Sequence, residues 1–581
     1  MSRDAAKEPF THAALAARWV ERAAAAFLIA AAAYVTASSL RLIVREHVRV
    51  PYWDQWQELL PRDFLARPFS QHNEHRIFVG RLVFALDTWV GAGRGVLSLV
   101  AVLLALGVTV GLLGVAARRS GAPRSVLVAT VGLGLTFLLC AYTWECLLAP
   151  FNASYVDVCP FAVAAFVLLG ASGGDEKHAA LEAAVAAVLA AYSIASGLVV
   201  LLLVVAVAVL TRRSRRDVAL LGLVAVVTVA TYLVGYEAPG QHARPAESLR
   251  HPTAVAQYVS VYLGAPFSSA YVDRVRAARI FGELGVLAWG VCVGHAVARR
   301  RGRPEAWVFV GTATFALGWA VMTALGRANF PIDQAFAPRY GTCALLFWAA
   351  LILDVACLPG RPMLRAFALI VACVLSGVVV SEQKIHGDEG ARNLARLRDA
   401  ETALVTGGLE RETIDRITPA ASLVRNALPD LRREHLGVFS APWASWLGEP
   451  LVKHVPRRDD DACIGFLDHA RPVAAYGGPA FRVDGWAFSR RDHERVARVA
   501  MVDRHGIVVG LAAGGFSRTD APKKYPEVSD PSTGFVGHIG ELGDAGGWVT
   551  AFAVLADGRT ACKLERSARL NASRARSLVV E

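Results

Sequence analysis

The chain has 581 residues, a formal net charge of +12 and 54% hydrophobic residues, and its mean hydropathy is +0.40. That composition excludes an ordinary soluble globule. The surplus Lys and Arg fall in short loops between apolar runs, so the charge is a topology signal and not a nucleic-acid footprint. Nine cysteines are present without a CxxC pair, which argues against a thiolate metal site.

In chain order, apolar runs occupy residues 23–44, 96–117, 126–143, 156–170, 179–194, 197–210, 218–236, 280–297, 307–325, 342–355 and 364–380. Each is near the ~20 residues a helix needs to cross a hydrocarbon core, giving about eleven spans. The first is too long for a signal peptide and has no convincing cleavage site, so it reads as a retained anchor. The runs 179–194 and 197–210 are short and meet at Ser196-Gly197, as a broken pair or one tilted helix. Arg3, Lys7 and Arg18, the Arg118–Arg124 and Arg212–Arg216 clusters, the Arg299–Arg303 cluster and Arg361 all alternate onto one side. The positive-inside rule then makes the N-terminus cytoplasmic and the C-terminal part extracytoplasmic, in a multi-pass protein of the cytoplasmic (inner) membrane. The Ala/Arg/Val-rich, Lys-poor usage suggests a GC-rich bacterium.

The first outer loop, residues 45–95, carries a dense polar cluster: Trp53-Asp54-Gln55-Trp56, then Gln71-His72-Asn73-Glu74-His75-Arg76. Asp54 reads as a general base or hydroxyl-orienting carboxylate, or as an interfacial carboxylate with Trp53 and Trp56 as belt anchors. If the second run begins a helix continuing through Leu82 and Phe84, Gln71 shares a face with His75, and His72 with Arg76. Glu74 then projects elsewhere. His72 and His75 could hold a divalent metal ion with a carboxylate, but read better as substrate-positioning groups. A solvated polar helix start is the bland reading.

Further outer loops supply partners: Glu145 and Asn152 after the third span, and Arg327, Asn329, Asp333, Arg339 and Tyr340 after the ninth. Arg339 could clamp a lipid phosphate, snorkel, or pair with Asp333. His242, Arg244, Arg250, His251, Tyr258 and Tyr262 could wall a cleft. Charged residues deep in the spans are few (Glu182 and Asp354 lie near inner ends), which disfavours an ion-coupled transporter or a flippase.

Beyond residue 380 the character changes. Residues 381–439 are charged with Leu394, Leu397 and Leu404, then Leu423, Val424, Leu428, Leu431 and Leu436 at helical spacing. From Cys463 short alternating runs separated by Gly- and Asp-rich turns argue a β-sandwich of about 110 residues. The expected organisation is a membrane domain over 1–380, an extracytoplasmic helical connector over 381–450 and an extracytoplasmic β-sandwich over 451–581. Cys463 and Cys562, near its first and last strands, are a disulfide candidate, and Cys146 with Cys159 a weaker one.

The membrane part resembles the GT-C glycosyltransferases. The resemblance rests on the acidic first outer loop, the number of spans and the C-terminal outer domain of helix and β-sandwich. The segment Gly515-Phe516-Ser517-Arg518-Thr519-Asp520 with Tyr525-Pro526 and Gly534-Phe535 is similar to sandwich domains of bacterial envelope proteins. The resemblance implies a GT-C-like fold and sugar transfer from a polyprenyl-phosphate-linked donor to a glycan, glycolipid or protein acceptor at the outer face of the bilayer. It implies Asp54 as the catalytic carboxylate, with Glu74 its rival, and inversion at the anomeric carbon. Trp53, Trp56, Gln71, His72, His75, Arg76, Glu145, Asn152, Arg327, Arg339 and Tyr340 then line the substrate site. The Asp-x-Asp or Glu-x-Asp signature of many members is absent around Trp53–Trp56. A polysaccharide polymerase or ligase, a lipid-linked glycan flippase and a non-catalytic scaffold are the alternatives.

Overall fold

The computed structural model describes residues 12–58, 64, 67–170, 176–238, 240, 245–299, 304–327, 329–418, 420–476, 478–540 and 547–570. Arg3, Lys7, His242, Arg244, Arg300, Arg301 and Arg303, named from the sequence, lie outside these residues. The chain divides into two compact units. The first comprises Met1–Arg45, Leu65–Val83 and Ser98–Gly390, the second Glu46–Phe64, Phe84–Leu97 and Ala391–Glu581.

Helices of the first unit are α1 (His12–Glu46, whose last residue belongs to the second unit), α2 (Phe78–Gly91, shared likewise), α3 (Val96–Arg119) and α4 (Arg124–Leu138). They continue with α5 (Ser154–Leu169), α6 (Glu176–Ala191), α7 (Leu198–Leu210), α8 (Arg215–Leu233), α9 (Pro252–Gly264), α10 (Arg274–Arg299), α11 (Val308–Arg327) and α12 (Gly341–Ala356). Among the described residues nine helices are long and apolar enough to cross a membrane, and His178–Ala191 and Ala195–Leu210 are shorter apolar helices. Every apolar run of the sequence therefore has its helix, and the chain is a multi-pass membrane protein. The span containing α12 is central, with 89% of its apolar window buried, whereas those of α8 and α10 are 22% buried. In lipid each backbone carbonyl must find a donor inside the protein. At one end of the bundle Arg119 Nη1 donates to the Val167 carbonyl (2.6 Å) and Arg213 Nη2 to that of Leu169 (2.5 Å), closing the last turn of α5. The basic loops that set the topology thus also cap a helix.

The break at Ser196-Gly197 is real. α6 and α7 are separate helices joined through a 3-10 turn at Ala195–Gly197. The chain folds back so tightly that a Cβ at Gly197 would stand 1.9 Å from the Ala190 carbonyl oxygen, so only glycine fits.

Helix α13 (Pro362–Thr406) runs unbroken for 45 residues, about 67 Å at 1.5 Å per residue. The boundary expected at residue 380 falls inside it, because no proline or turn sequence interrupts Ser381–Thr406. Its residues through Gly390 belong to the first unit, where Gln383 Nε2 donates to Ser38 (2.8 Å) and Ser39 (2.9 Å) of α1.

In the second unit, Leu394, Leu397 and Leu404 of α13 and Val424 and Leu431 of α14 (Ala421–Arg433) are buried, as their spacing foretold. The strands are β1 (Cys463–Ala475), β2 (Gly478–Ser489), β3 (Arg498–Val502), β4 (Val508–Phe516), β5 (Gly534–Ile539), β6 (Trp548–Val554) and β7 (Thr560–Arg569). Where the sequence suggested two layered sheets, the strands form one closed hydrogen-bonded set, β1-β2-β5-β4-β3-β6-β7, with β7 returning to β1. All these pairs are antiparallel except the closing one, parallel and with a single register pair, Phe466 to Glu565. Closure leaves no free long edge. Val483, Val499, Met501, Ala512, Phe535 and Ile539 fill the interior.

Cys463 and Cys562 are disulfide-bonded, Cα to Cα 6.2 Å and 99 residues apart. They join β1 to β7, where backbone pairing is thinnest. Cys146 and Cys159, the weaker candidate pair, are instead two separate buried thiols. Burial on helices of the bundle makes them small hydrophobic residues. A buried ionic seam ties α13 to the strands: Arg482 of β2 reaches Asp399 (2.7 Å) and Glu410 (3.0 Å), and His538 of β5 reaches Glu410 (3.1 Å). Burial would raise the Glu410 carboxyl, but hydrogen bonds from His538 and Arg482 outweigh it and hold the group below the ordinary value.

Cys562→Ser is expected to lower the stability of the β unit by about 2–5 kcal/mol, read by denaturant unfolding against a reduced wild-type control. Because the folded-state value of Glu410 is depressed, its contribution is complete above the unfolded value of about 4.3 and is lost as pH falls through the folded one. Glu410→Gln should therefore unfold more easily than wild type at neutral pH, with the gap narrowing below about pH 4. A gap independent of pH would exclude this linkage.

Candidate functional site: an aromatic cavity with one carboxylate

The Gln71–Arg76 run is not the start of a helix. α2 begins only at Phe78, and His72 and His75 exchange backbone hydrogen bonds (2.7 and 2.8 Å) across a tight turn with Asn73 at φ +48°. Asn tolerates that left-handed position through its short polar side chain. The shared faces expected from helical spacing therefore do not form, and each side chain goes its own way.

Two of these side chains anchor the loop. Arg76 Nε donates to the Tyr232 carbonyl (2.8 Å), its Nη2 donates to the Val234 carbonyl and its Nη1 to that of Phe69. The Arg76 N–H donates to the Tyr232 hydroxyl (3.0 Å). A guanidinium is thus spent on the open carbonyls at the end of α8. Gln71 does the same at Glu237, accepting from its N–H (2.9 Å) and donating to its carbonyl (2.5 Å). His72 is buried with its ring 5.3 Å from that of Phe151. These three groups position the turn.

Glu74 and His75 face a cavity of about 320 Å³ in the first unit, walled by Tyr155 of α5, Ser196 of the helix break, Tyr232 and Tyr236 at the end of α8, Trp319 and Arg327 of α11, and Tyr340. His75 Nδ1 accepts from the Ala195 N–H (3.3 Å), which leaves its Nε2 proton to face Glu74 Oε1 at 3.4 Å. Arg327 Nη2 stands 3.7 Å from the same oxygen. Tyr155 stacks on Trp319 (6.3 Å, 23°) and Tyr262 on Tyr340 (5.0 Å, 25°). The guanidinium of Arg327 lies 5.9 Å from the Tyr340 ring centroid and that of Arg339 5.1 Å.

Arg339 pairs with Glu145 (2.9 Å), not with Asp333, and Asn152 donates to the Glu145 carbonyl (3.1 Å). This buried cluster backs Tyr340 and does not line the cavity. Arg250 and His251 are exposed, while Tyr258 and Tyr262 are buried with no hydrogen-bond partner for their hydroxyls among the described residues. Asp54 lies half-exposed in the 3-10 turn Trp53–Gln57 of the second unit, where the Trp53 N–H donates to the Ile417 carbonyl (2.9 Å). Trp56 is buried against Leu404, Leu431 and Leu436 and belongs to that unit's core. His72 and His75 have different neighbours, and no three His, Cys, Asp or Glu side chains gather as metal ligands among the described residues.

Sequence reasoning named Glu74, His75, Arg327 and Tyr340 but not Tyr155, Tyr232, Tyr236 and Trp319. Their signal was weak, since aromatic residues near membrane boundaries are ordinary. The one usable sign was Tyr232 and Tyr236, four apart at the end of an apolar run.

No family model and no curated protein matches the chain. Among solved structures it is similar to the archaeal oligosaccharyltransferase AglB from Archaeoglobus fulgidus, in complex with an inhibitory peptide and a dolichol-phosphate. That likeness has 11% identity and a TM-score of 0.39, covering 67% of this chain and 58% of that one. It is also similar to ArnT from Cupriavidus metallidurans bound to undecaprenyl phosphate, with 13% identity and a TM-score of 0.37, covering 69% of this chain and 88% of that one. The chain thus spans little more than half the length of the archaeal protein.

Arg76→Leu should destabilise the first unit by roughly 3 kcal/mol, since charge-assisted bonds are lost and buried carbonyls are stranded. Thermal unfolding in detergent measures this, and an unchanged midpoint would deny Arg76 its anchoring role.

Proposed function

We propose that the chain is a membrane glycosyltransferase that moves a sugar from a polyprenyl-phosphate-linked donor to a glycan, glycolipid or protein acceptor. The observation that carries this reading is Glu74, set between the His75 imidazole and the Arg327 guanidinium on the wall of an aromatic cavity. The volume suits a small ligand. Flat ring faces suit the C–H faces of a sugar, and phenol hydroxyls suit its oxygens.

In the proposed step the acceptor hydroxyl oxygen attacks the anomeric carbon, the bond from that carbon to the phosphate oxygen breaks, and Glu74 takes the hydroxyl proton. The departing phosphate keeps the bonding pair and gains Arg327 as its counter-charge. Arg327 and Glu74 are 3.7 Å apart, a loose pair. Arrival of the donor phosphate draws Arg327 away and leaves His75 to orient Glu74. Glu74 is the one carboxylate among the cavity-lining residues described. A covalent route needs a second carboxyl about 5 Å away, so inversion is the expected outcome. The orientation that puts this cavity at the outer face of a bacterial cytoplasmic membrane rests on the distribution of Lys and Arg.

Glu74→Gln is expected to slow release of polyprenyl phosphate from a polyprenyl-phosphate-linked hexose by at least ~100-fold in membranes, with protein level unchanged. Arg327→Leu should raise the apparent KM for that donor. Asp54 is the second candidate base. Full turnover in Glu74→Gln together with its loss in Asp54→Asn would transfer the role to Asp54.

A further inference from the structure

Helix α11 carries three glycines, and two of them are needed for packing. A Cβ at Gly311 would stand 2.9 Å from the Phe166 ring of α5, and one at Gly318 would stand 2.7 Å from Val199 of α7. Gly326 differs. Among the described residues, a Cβ there would meet no atom within 4 Å, and its backbone is not in the left-handed region that favours glycine. Glycine inside a helix is less favourable than alanine, since it gives up more chain freedom and packs nothing. Neither the backbone nor a neighbouring side chain calls for glycine at this position.

Gly326 faces the cavity. Trp319, Thr323 and Gly326 recur at helical spacing and all line it, so a side chain at 326 would project the same way. Gly107, Gly111 and Gly290 also meet nothing within 4 Å, but none of them lines the cavity. Gly326 is the one glycine among the cavity-lining residues described. The helix also sets a scale. Arg327, the proposed counter-charge for the donor phosphate, follows directly, and Trp319, stacked on Tyr155, lies seven residues before Gly326. Seven residues are about 10 Å of helix. A sugar joined to a phosphate at Arg327 therefore has its first ring over Gly326, with the Trp319 ring beyond it.

We infer that Gly326 is a specificity-determining residue, whose missing side chain makes room for the first sugar ring of the donor. The inference rests on the glycosyltransferase reading above and names the class of sugar. The room fits a hexose, whose ring substituents would contact a Cβ at 326, in preference to a smaller pentose. One methylene in a pocket is worth about 10–200-fold in discrimination, so a single methyl group at this position is enough to measure.

The test uses the full chain in detergent micelles with polyprenyl-phosphate-linked xylose, glucose and N-acetylglucosamine, one ring geometry in three sizes. Binding is read from the ligand-dependent shift of thermal unfolding, and turnover separately from release of polyprenyl phosphate. Wild type should bind a hexose donor more tightly than the xylose donor. Gly326→Ala should lower that hexose-to-xylose ratio at least ~10-fold, with an unfolding midpoint no lower than that of wild type. Gly326→Val should lower the ratio further, and Gly326→Ala carries the test where the valine variant does not fold. A lowered midpoint with an unchanged ratio makes the glycine structural and overturns the inference. So does an equal loss for all three sugars, or the absence of binding by any of them. Binding with the expected ratios but no turnover sinks the transferase reading and upholds the role of Gly326.

Discussion

The last turn of α8 leaves carbonyls that the helix itself cannot pair. Arg76 supplies the donors. Its guanidinium binds the Tyr232 and Val234 carbonyls and the Phe69 carbonyl at once, and its own N–H holds the Tyr232 hydroxyl. That single requirement, that the carbonyls at a helix end find donors, fixes the turn in which Glu74 and His75 stand. It also sets Tyr232 as a cavity wall. The carboxylate, the imidazole that orients it and one aromatic face all take their places from one structural cation.

The second unit solves a different problem. Its strands close on themselves, but the closing contact is a parallel pair with a single register match. The disulfide from Cys463 to Cys562 supplies covalently what the backbone there does not. The seam of Asp399, Glu410, Arg482 and His538 is satisfied by hydrogen bonds on most sides, as a buried ionic network must be to persist.

The spans were legible because hydropathy over twenty residues is a strong signal, and the Ser196-Gly197 break was legible because small residues interrupt an otherwise continuous run. Glu74, His75, Arg327 and Tyr340 were legible as polar groups at the ends of apolar segments. Arg76 and Gln71 shared that appearance, yet the partners that tie them to the end of α8 are backbone groups more than 150 residues away, which no local spacing encodes. The Asn73 turn defeated the helical reading because the run has the length and polarity of a first turn, with Ser70 before it as an ordinary capping residue. The closed strand set was hidden for a similar reason. Strand content is written locally, whereas the parallel return of β7 to β1 is set by a contact across a hundred residues.

The helix break has a further consequence for helix length. His178–Ala191 and Ala195–Leu210 have 14 and 16 residues, or about 21 and 24 Å of helix against a hydrocarbon core of about 30 Å. They meet at the Ala195–Ser196 turn on the cavity wall. Among the described residues the break that supplies Ser196 to the cavity wall thus also divides this stretch into two helices each shorter than the hydrocarbon core.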